Sequence, residues 1–231
     1  TITEDFLPVF AKWGIARERV TVIENWAPRD ELPARPRDNA WAKAQGLEGR
    51  LVFLYAGTLG LKHNPDLLLT LARRFQGRDI CVVVVSEGIG ADWLKQHGNG
   101  LETLIVLPFQ PYERVPEVLA SGDVLVSVLE PDAGIFSVPS KILAYFCAGR
   151  PVLGAIPPEN LAARIITHHQ AGLVVPPNDN AAFVAAAEKL AASSSLRASL
   201  GKNALDYADR TFDIEAIGAR FAALLAGVKT S

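Results

Sequence analysis

A doubly wound α/β domain, with one parallel sheet covered by helices on both faces, is the architecture that three features of this sequence predict. Continuous apolar runs such as Leu51-Val52-Phe53-Leu54-Tyr55 and Ile80-Cys81-Val82-Val83-Val84-Val85 lack the alternation of a strand with one wet face. They read as strands buried on both sides. Each run is followed by a turn and then by apolar residues at helical spacing, the order that parallel strands with crossover helices require. At 231 residues, with 49% hydrophobic and 21% charged residues, the chain is long enough to bury such a core.

The elements follow in order. Thr3-Glu4-Asp5 precedes Phe6, Val9, Phe10 and Trp13, with Gly14 as the stop, which predicts a short capped helix. Val20 to Ile23 reads as a short strand, and the Pro-rich stretch up to Pro36 as a connector or domain boundary. A weaker helix falls near Ala40 to Gln45. Beyond Gly49 the strand at Leu51 leads through a glycine turn to a helix with Leu67, Leu68, Leu71 and Phe75. The strand at Ile80 is followed by helical residues from Ala91 to Gln96. Leu104 to Leu107 is a strand, Val115 to Ala120 a helix and Val124 to Val128 a fourth strand. Pro139 suits the first turn of a helix that carries Ile142, Leu143, Tyr145 and Phe146, and Ala148-Gly149 ends it before the strand at Val152-Leu153. A helix from Leu161 to Thr167, a strand from Leu173 to Val175 and three terminal helices complete the order; those helices run Ala182 to Ala192, Leu196 to Ala208 and Ile214 to Leu225.

Composition narrows the function. The net charge of −2 offers no nucleic-acid footprint and no general attraction to an anionic membrane. No apolar run approaches the ~20 residues of a membrane span. The two cysteines, Cys81 and Cys147, fall in apolar patterns and read as small core residues, so a reducing cytoplasm is the expected setting. No His/Cys/Asp/Glu set has metal-ligand spacing, and no Ser-His-Asp arrangement is visible. His168-His169 lies at a helix end, where exposure is expected. The chain begins at Thr1 and contains no methionine, which suggests excision from a longer polypeptide.

In an open parallel sheet, ligands bind beyond the carboxyl ends of the strands, so the loops there are the candidates. The first is Gly57-Thr58-Leu59-Gly60-Leu61-Lys62-His63-Asn64-Pro65. Glycines let a backbone approach a ligand, and Lys62 is a compact cation suited to phosphate. His63 lies in the same loop. The same residues also fit a plain strand-to-helix turn, with Asn64 as the cap of the next helix. The second is Ser86-Glu87-Gly88-Ile89-Gly90, where a structural turn is the leading reading for Glu87. The third joins Asp132-Ala133-Gly134-Ile135-Phe136-Ser137 to the helix after Pro139. Gly134 gives backbone room, while Ser137, Ser140 and the exposed N–H groups of a helix start can cradle a diphosphate. Lys141 adds charge there or is a solvated lysine on a helix face. Pro108-Phe109-Gln110-Pro111-Tyr112 fits a hydrophobic plug between strand and helix.

The stretch Val138-Pro139-Ser140-Lys141-Ile142-Leu143-Ala144-Tyr145-Phe146-Cys147-Ala148-Gly149-Arg150-Pro151 resembles the donor-binding helix of family 4 (group 1) glycosyltransferases of the GT-B type. In many of those it reads Pro-Ser-Lys-x-x-Glu-Tyr-x-x-Ala-Gly-x-Pro. The order of the loops matches as well, and the resemblance spans almost the whole chain. It implies a Rossmann-like, nucleotide-sugar-binding C-terminal domain at residues 37–231, with residues 1–36 as a hinge segment leading from a missing N-terminal acceptor domain. It further implies sugar transfer from a nucleotide-diphosphate donor, UDP-linked by preference, in bacterial polysaccharide or lipid-linked glycan synthesis, without cofactor or metal. The donor-binding positions it assigns are Gly57, Thr58, Gly60, Lys62, Gly88, Phe109, Gly134, Phe136, Ser137, Val138, Ser140, Lys141 and Ala144. No catalytic residue is assigned, and the isolated domain is expected to bind donor without turnover. The expected setting is the cytoplasm, with membrane contact at the inner membrane only through a full-length protein.

Three departures matter. Thr58 replaces a common Arg, and Phe136 and Ala144 stand where relatives carry two glutamates, the second of which grips the ribose hydroxyls. Glu159 is a candidate substitute, although capping the helix that follows is its simpler role. The departures support an alternative, a non-catalytic nucleotide-sugar binding or regulatory module on the same fold. A nicotinamide-dependent oxidoreductase fits less well, because no Gly-x-Gly-x-x-Gly follows the first strand.

Overall fold

In the computed structural model, which describes residues 1–60, 63–135, 137 and 140–227, the strands are β1 (Leu51–Ala56), β2 (Ile80–Val85), β3 (Leu104–Leu107), β4 (Val124–Val128), β5 (Val152–Ala155) and β6 (Gly172–Val175). They form one six-stranded parallel sheet in the order β3-β2-β1-β4-β5-β6. The order reverses between β1 and β4, so the crevice at their carboxyl ends is the place where such a sheet takes a ligand.

The helices are α1 (Leu7–Lys12), α2 (Ala40–Ala44), α3 (Asp66–Arg74), α4 (Ile89–His97), α5 (Val115–Ala120), α6 (Lys141–Cys147), α7 (Leu161–His168), α8 (Asn180–Ala192), α9 (Ser194–Thr211) and α10 (Ile214–Gly227). Period-2 alternation along each strand divides the apolar residues between the two faces. Val52, Leu54, Val83 and Leu125 pack with Trp41, Tyr145 and Phe146 on one face. Phe53, Val82, Val84 and Val126 pack with Leu68, Phe75 and Phe183 on the other, where the Phe53 and Phe75 rings stack at 5.3 Å. Cys81 and Cys147 are buried and unbridged, and burial raises both thiol pKa values, that of Cys147 to about 11.

The crossover after β4 is anchored at its far end. Gly149 ends α6 with φ +64°, and a Cβ on Gly201 of α9 would stand 2.5 Å from the Gly149 carbonyl oxygen. Only glycine lets α9 seat this closely on the end of α6.

Two local expectations are corrected. Val20 to Ile23 is not a strand. Its β-branched residues supply propensity but no neighbouring ladder takes them up; the segment is tied instead to Thr1, through Ile23 N–H to the Thr1 carbonyl (2.9 Å) and the Thr1 amino group to the Thr21 carbonyl (2.8 Å). Asn64 does not cap α3: it has φ +48°, and the helix starts at Asp66 after Pro65 without a side-chain cap. The other strands and helices fall close to where they were expected; Pro139, expected in the first turn of α6, lies outside the described residues. Thr3 caps a single 3-10 turn that runs into α1, and Gly14 follows with φ +72°. The amino-terminal segment leans on the domain through Arg164 to Asp5 (2.6 Å), Arg220 to the Val22 carbonyl (2.9 Å) and the Trp26–Phe221 ring contact.

Candidate functional site

Beyond the ends of β1 and β2 lies a cleft of about 200 Å³. Its walls are Ala56, Gly57 and Val85 from the strand ends, Val115, Val118 and Leu119 from α5, and Lys141, Ala144 and Tyr145 from α6, with Phe109 and Gln110 closing one side. The lining is apolar apart from a few groups, and each of those is held. Gln110 accepts from the buried Trp41 indole N–H (3.0 Å) and donates to the Pro108 carbonyl (2.9 Å). The Tyr145 hydroxyl, fully buried, meets the Ala56 N–H, the Ala56 carbonyl and the Val126 carbonyl at 3.1 to 3.2 Å. Phe109 remains 46% exposed at the rim, which leaves its ring free to cover a planar ligand.

Lys141 is the charged group of this cleft. Its ammonium donates to the Tyr55 hydroxyl (2.7 Å) and lies 4.1 Å from the centre of that ring. The Tyr55 hydroxyl in turn donates to the Thr58 carbonyl (2.6 Å), which ties the turn after β1 to the first residue of α6. Gly57 has φ +132°, and a Cβ there would stand 3.3 Å from the Lys141 ammonium. Among the described residues no carboxylate forms an ion pair with Lys141, and burial lowers its pKa to about 8. The picture of a solvated lysine on a helix face is therefore corrected: the side chain points inward under the β1 turn. Burial also raises the Tyr55 and Tyr145 phenols above their ordinary value.

The turn after β1 has a second tether. His63 Nδ1 accepts from the Gly60 N–H (3.1 Å), which leaves Nε2 to carry the proton, and Nε2 lies 3.4 Å from the Glu130 carboxylate beyond β4. Thr58 is exposed and Gly60 half-buried on this turn. Lys62 lies outside the described residues.

The loop after β4 is held by Asn160. This side chain is fully buried; it donates to the Gly134 carbonyl (2.7 Å) and the Ser137 carbonyl (2.5 Å), while its oxygen accepts from Ala162 N–H at the start of α7. The helix cap here is Asn160 rather than Glu159, because only Asn160 reaches the first-turn N–H. Gly134 adopts φ +48°. Ser140 is exposed and makes no side-chain cap to α6, a helix of only 7 residues. Phe136 and Val138 lie outside the described residues. Gly88, with φ +93°, starts α4, and the adjacent Glu87 accepts from the Phe109 N–H (3.1 Å), so its role in the turn is to place Phe109.

Of the residues singled out from sequence, the structure gathers Gly57, Phe109, Lys141 and Ala144 around one cleft. Gly134 and Ser137 form a separate loop under Asn160, and Thr58, Gly60 and Gly88 sit on the neighbouring turns. Tyr55, Tyr145 and Asn160 were missed. A hydroxyl-bearing ring at the end of an apolar strand and an Asn before a helix were the available signals. Neither reveals a partner 23 to 89 residues away. His168 is exposed as expected, while His169 is half-buried against Tyr207 at 4.5 Å. Among the described residues no group of His, Cys, Asp and Glu could hold a metal ion.

Fold and site together define a doubly wound domain with a partly charged cleft beyond the carboxyl ends of its strands, where such folds take their ligands. The family model for glycosyl transferases group 1 matches residues 37–206, and the chain belongs to that family. A relative from Escherichia coli (strain K12), described as colanic acid biosynthesis glycosyl transferase WcaI, is 26% identical over 96% of this chain. The chain spans 55% of that relative's length. Among solved structures, Anabaena Alr3699/HepE in complex with UDP-glucose superposes with a TM-score of 0.80 at 18% identity, over 99% of this chain and 63% of the other. WaaG, a glycosyltransferase involved in lipopolysaccharide biosynthesis, superposes with a TM-score of 0.74 at 19% identity, over 99% of this chain and 62% of the other. These superpositions bear out the Rossmann-like fold expected from the strand order.

Proposed function

We propose that this chain is the donor-binding half of a glycosyltransferase that moves a sugar from a nucleotide-diphosphate sugar to an acceptor in bacterial polysaccharide or lipid-linked glycan synthesis. One observation carries the reading: a cleft beyond the carboxyl ends of the strands combines an apolar slot, an exposed aromatic ring at the rim and a half-buried ammonium that, among the described residues, forms no ion pair with a carboxylate. A nucleotide offers matching parts, a planar base and an anion. Family membership and the UDP-glucose bound to HepE support the same assignment. UDP is the favoured nucleotide.

On this reading Gly57, Thr58, Gly60, Lys62, Gly88, Gly134, Phe136, Ser137, Val138 and Ser140 border the donor, while Phe109, Ala144 and Lys141 line its cleft. The domain spans residues 37–231, residues 1–36 form the hinge, and an N-terminal domain supplies the acceptor site. The domain acts by binding and orienting the donor and by placing positive charge beside the leaving diphosphate. The protein works in the cytoplasm, at the inner membrane through its full-length form; no helix among the described residues is long and apolar enough to cross a membrane.

Calorimetric titration of the chain with UDP, GDP, dTDP and ADP tests this. Selective binding of one is expected, and binding of none removes the reading. Product formed by this chain alone from donor and acceptor would overturn the division of labour between halves.

The Ala144 methyl in the cleft wall favours a second reading, a binding or regulatory module without turnover, since it cannot accept a hydrogen bond from a ribose hydroxyl. Ala144→Glu in the full-length protein separates the two. A large gain in turnover marks a decayed site, and no gain or a loss marks a working variant.

A further inference from the structure

We propose that the Gln110 side chain selects the base of the bound nucleotide. It offers the cleft a hydrogen-bond donor, so the base that fits carries a carbonyl oxygen, not an amino group, at the edge farthest from its sugar. Uracil, thymine and guanine meet that requirement; cytosine and adenine do not. The inference rests on the donor-site reading above and assigns its choice of base to one residue.

The amide is oriented from both ends. An indole N–H only donates, so the atom that meets Trp41 Nε1 at 3.0 Å is the Gln110 oxygen. A carbonyl only accepts, so the atom that meets the Pro108 oxygen at 2.9 Å is the Gln110 nitrogen. Turning the amide over would set donor against donor at one end and acceptor against acceptor at the other. Trp41 is 3% exposed, packs in the core with Val52 and Leu54, and is not part of the cleft wall, so the oxygen is turned away from the cleft. The amide nitrogen carries two N–H groups, and the Pro108 carbonyl takes one. The second is what Gln110, a member of the cleft wall, has for a ligand.

The rest of the cleft makes that N–H decisive. The wall also carries Val85, Val115, Val118 and Leu119, which offer a polar group of the base nothing in exchange for water. The Tyr145 hydroxyl is already engaged with Ala56 and Val126. Phe109, next to Gln110 and exposed at the rim, supplies a ring face on which a base can lie. Lys141 and Ala144 belong to the α6 wall, whereas Phe109 and Gln110 close one side. A nucleotide with its diphosphate at α6 therefore turns the far edge of its base to Gln110. There the O4 atom of uracil accepts from the amide. The amino group of cytosine, at the same ring position, meets it N–H to N–H and leaves both donors unpaired.

The test is calorimetry of the 231-residue chain with UDP and with CDP, whose bases differ at that position. Wild type is expected to bind UDP about ten- to hundredfold more tightly than CDP, the range for a site that leaves a buried polar group unpaired. Gln110→Leu is expected to weaken UDP about tenfold and to bring the two ligands within about threefold of each other. Gln110→Glu keeps an acceptor for Trp41 but presents oxygen to the base, so the order reverses in favour of CDP. Trp41→Phe leaves Gln110 in place but frees its amide to turn, and the ratio narrows. Reading the ratio of the two ligands cancels any effect of a variant on folding or on the diphosphate. If wild type takes only purine nucleotides, the same ratio is read from GDP against ADP, whose bases differ in the same way. A wild type that binds both members of the pair equally, or a preference that survives both Gln110→Leu and Gln110→Glu, overturns this inference and leaves the donor site standing. Failure of wild type to bind UDP, GDP, dTDP or ADP overturns the donor site itself, and this inference with it.

Discussion

The turn at residues 57–60 after β1 and the loop of Gly134 and Ser137 after β4 follow neighbouring strands, yet they are secured by side chains of opposite character. A buried neutral amide, Asn160, holds the second loop, with its oxygen on a helix N–H and its nitrogen on two loop carbonyls. A hydroxyl and a cation, Tyr55 and Lys141, hold the first. Asn160 is complete as it stands, so its loop is fixed by the fold. Lys141 makes, among the described residues, one side-chain hydrogen bond, so the turn above it is secured by fewer bonds. The two loops thus differ in how many bonds secure them.

Breaking the fixed loop has the largest expected effect. Asn160→Ala removes a helix cap and leaves buried carbonyls unmet, for a loss of about 2–3 kcal/mol in chemical denaturation. Asn160→Asp is expected to keep the cap but not the loop, since a carboxylate cannot donate to the Gly134 and Ser137 carbonyls. Tyr55→Phe comes next, at about 1–2 kcal/mol, because both the Thr58 carbonyl and the Lys141 ammonium lose their partner. If Tyr55→Phe costs as much as Asn160→Ala in thermal melting, the contrast between the loops fails. A smaller effect is one of pH. The unliganded chain holds Lys141 at a pKa of about 8 against 10.5 ordinarily, so the folded state binds fewer protons than the unfolded state between those values. Relative to Lys141→Met, wild type is expected to gain stability as pH rises from 8 to 10, which denaturation at the two pH values measures. Phe109→Ala sharpens the comparison from the ligand side. It should leave stability within about 0.5 kcal/mol, since the ring is exposed, while weakening UDP several-fold in calorimetry.

Most of the sheet was legible because burial on both faces writes an unmistakable pattern, as in Ile80 to Val85, where every residue is buried. Val20 to Ile23 misled because a β-branched run shows propensity but not whether a neighbouring strand exists. Helix starts fared unevenly for a related reason. Asn64 and Glu159 have the right chemistry for caps, but a cap depends on backbone angles that Pro65 and Asn160 decide. At the site, the glycines and Lys141 were visible as residue types facing a crevice. Their relations were not, since Tyr55 meets Lys141 86 residues later in the chain and Tyr145 reaches back 89 residues to Ala56. Long-range pairs of this kind leave no periodicity to read.

The contact between Gly149 and Gly201 bears on how the molecule is assembled during synthesis. The far end of α6, whose near end carries Lys141, is seated against a helix that begins at Ser194. On a growing polypeptide, β1 to β5 can emerge and pair before that helix exists. One wall of the cleft therefore leans on a helix made after every strand of the sheet, and a chain interrupted before residue 201 would lack the surface on which the end of α6 is seated.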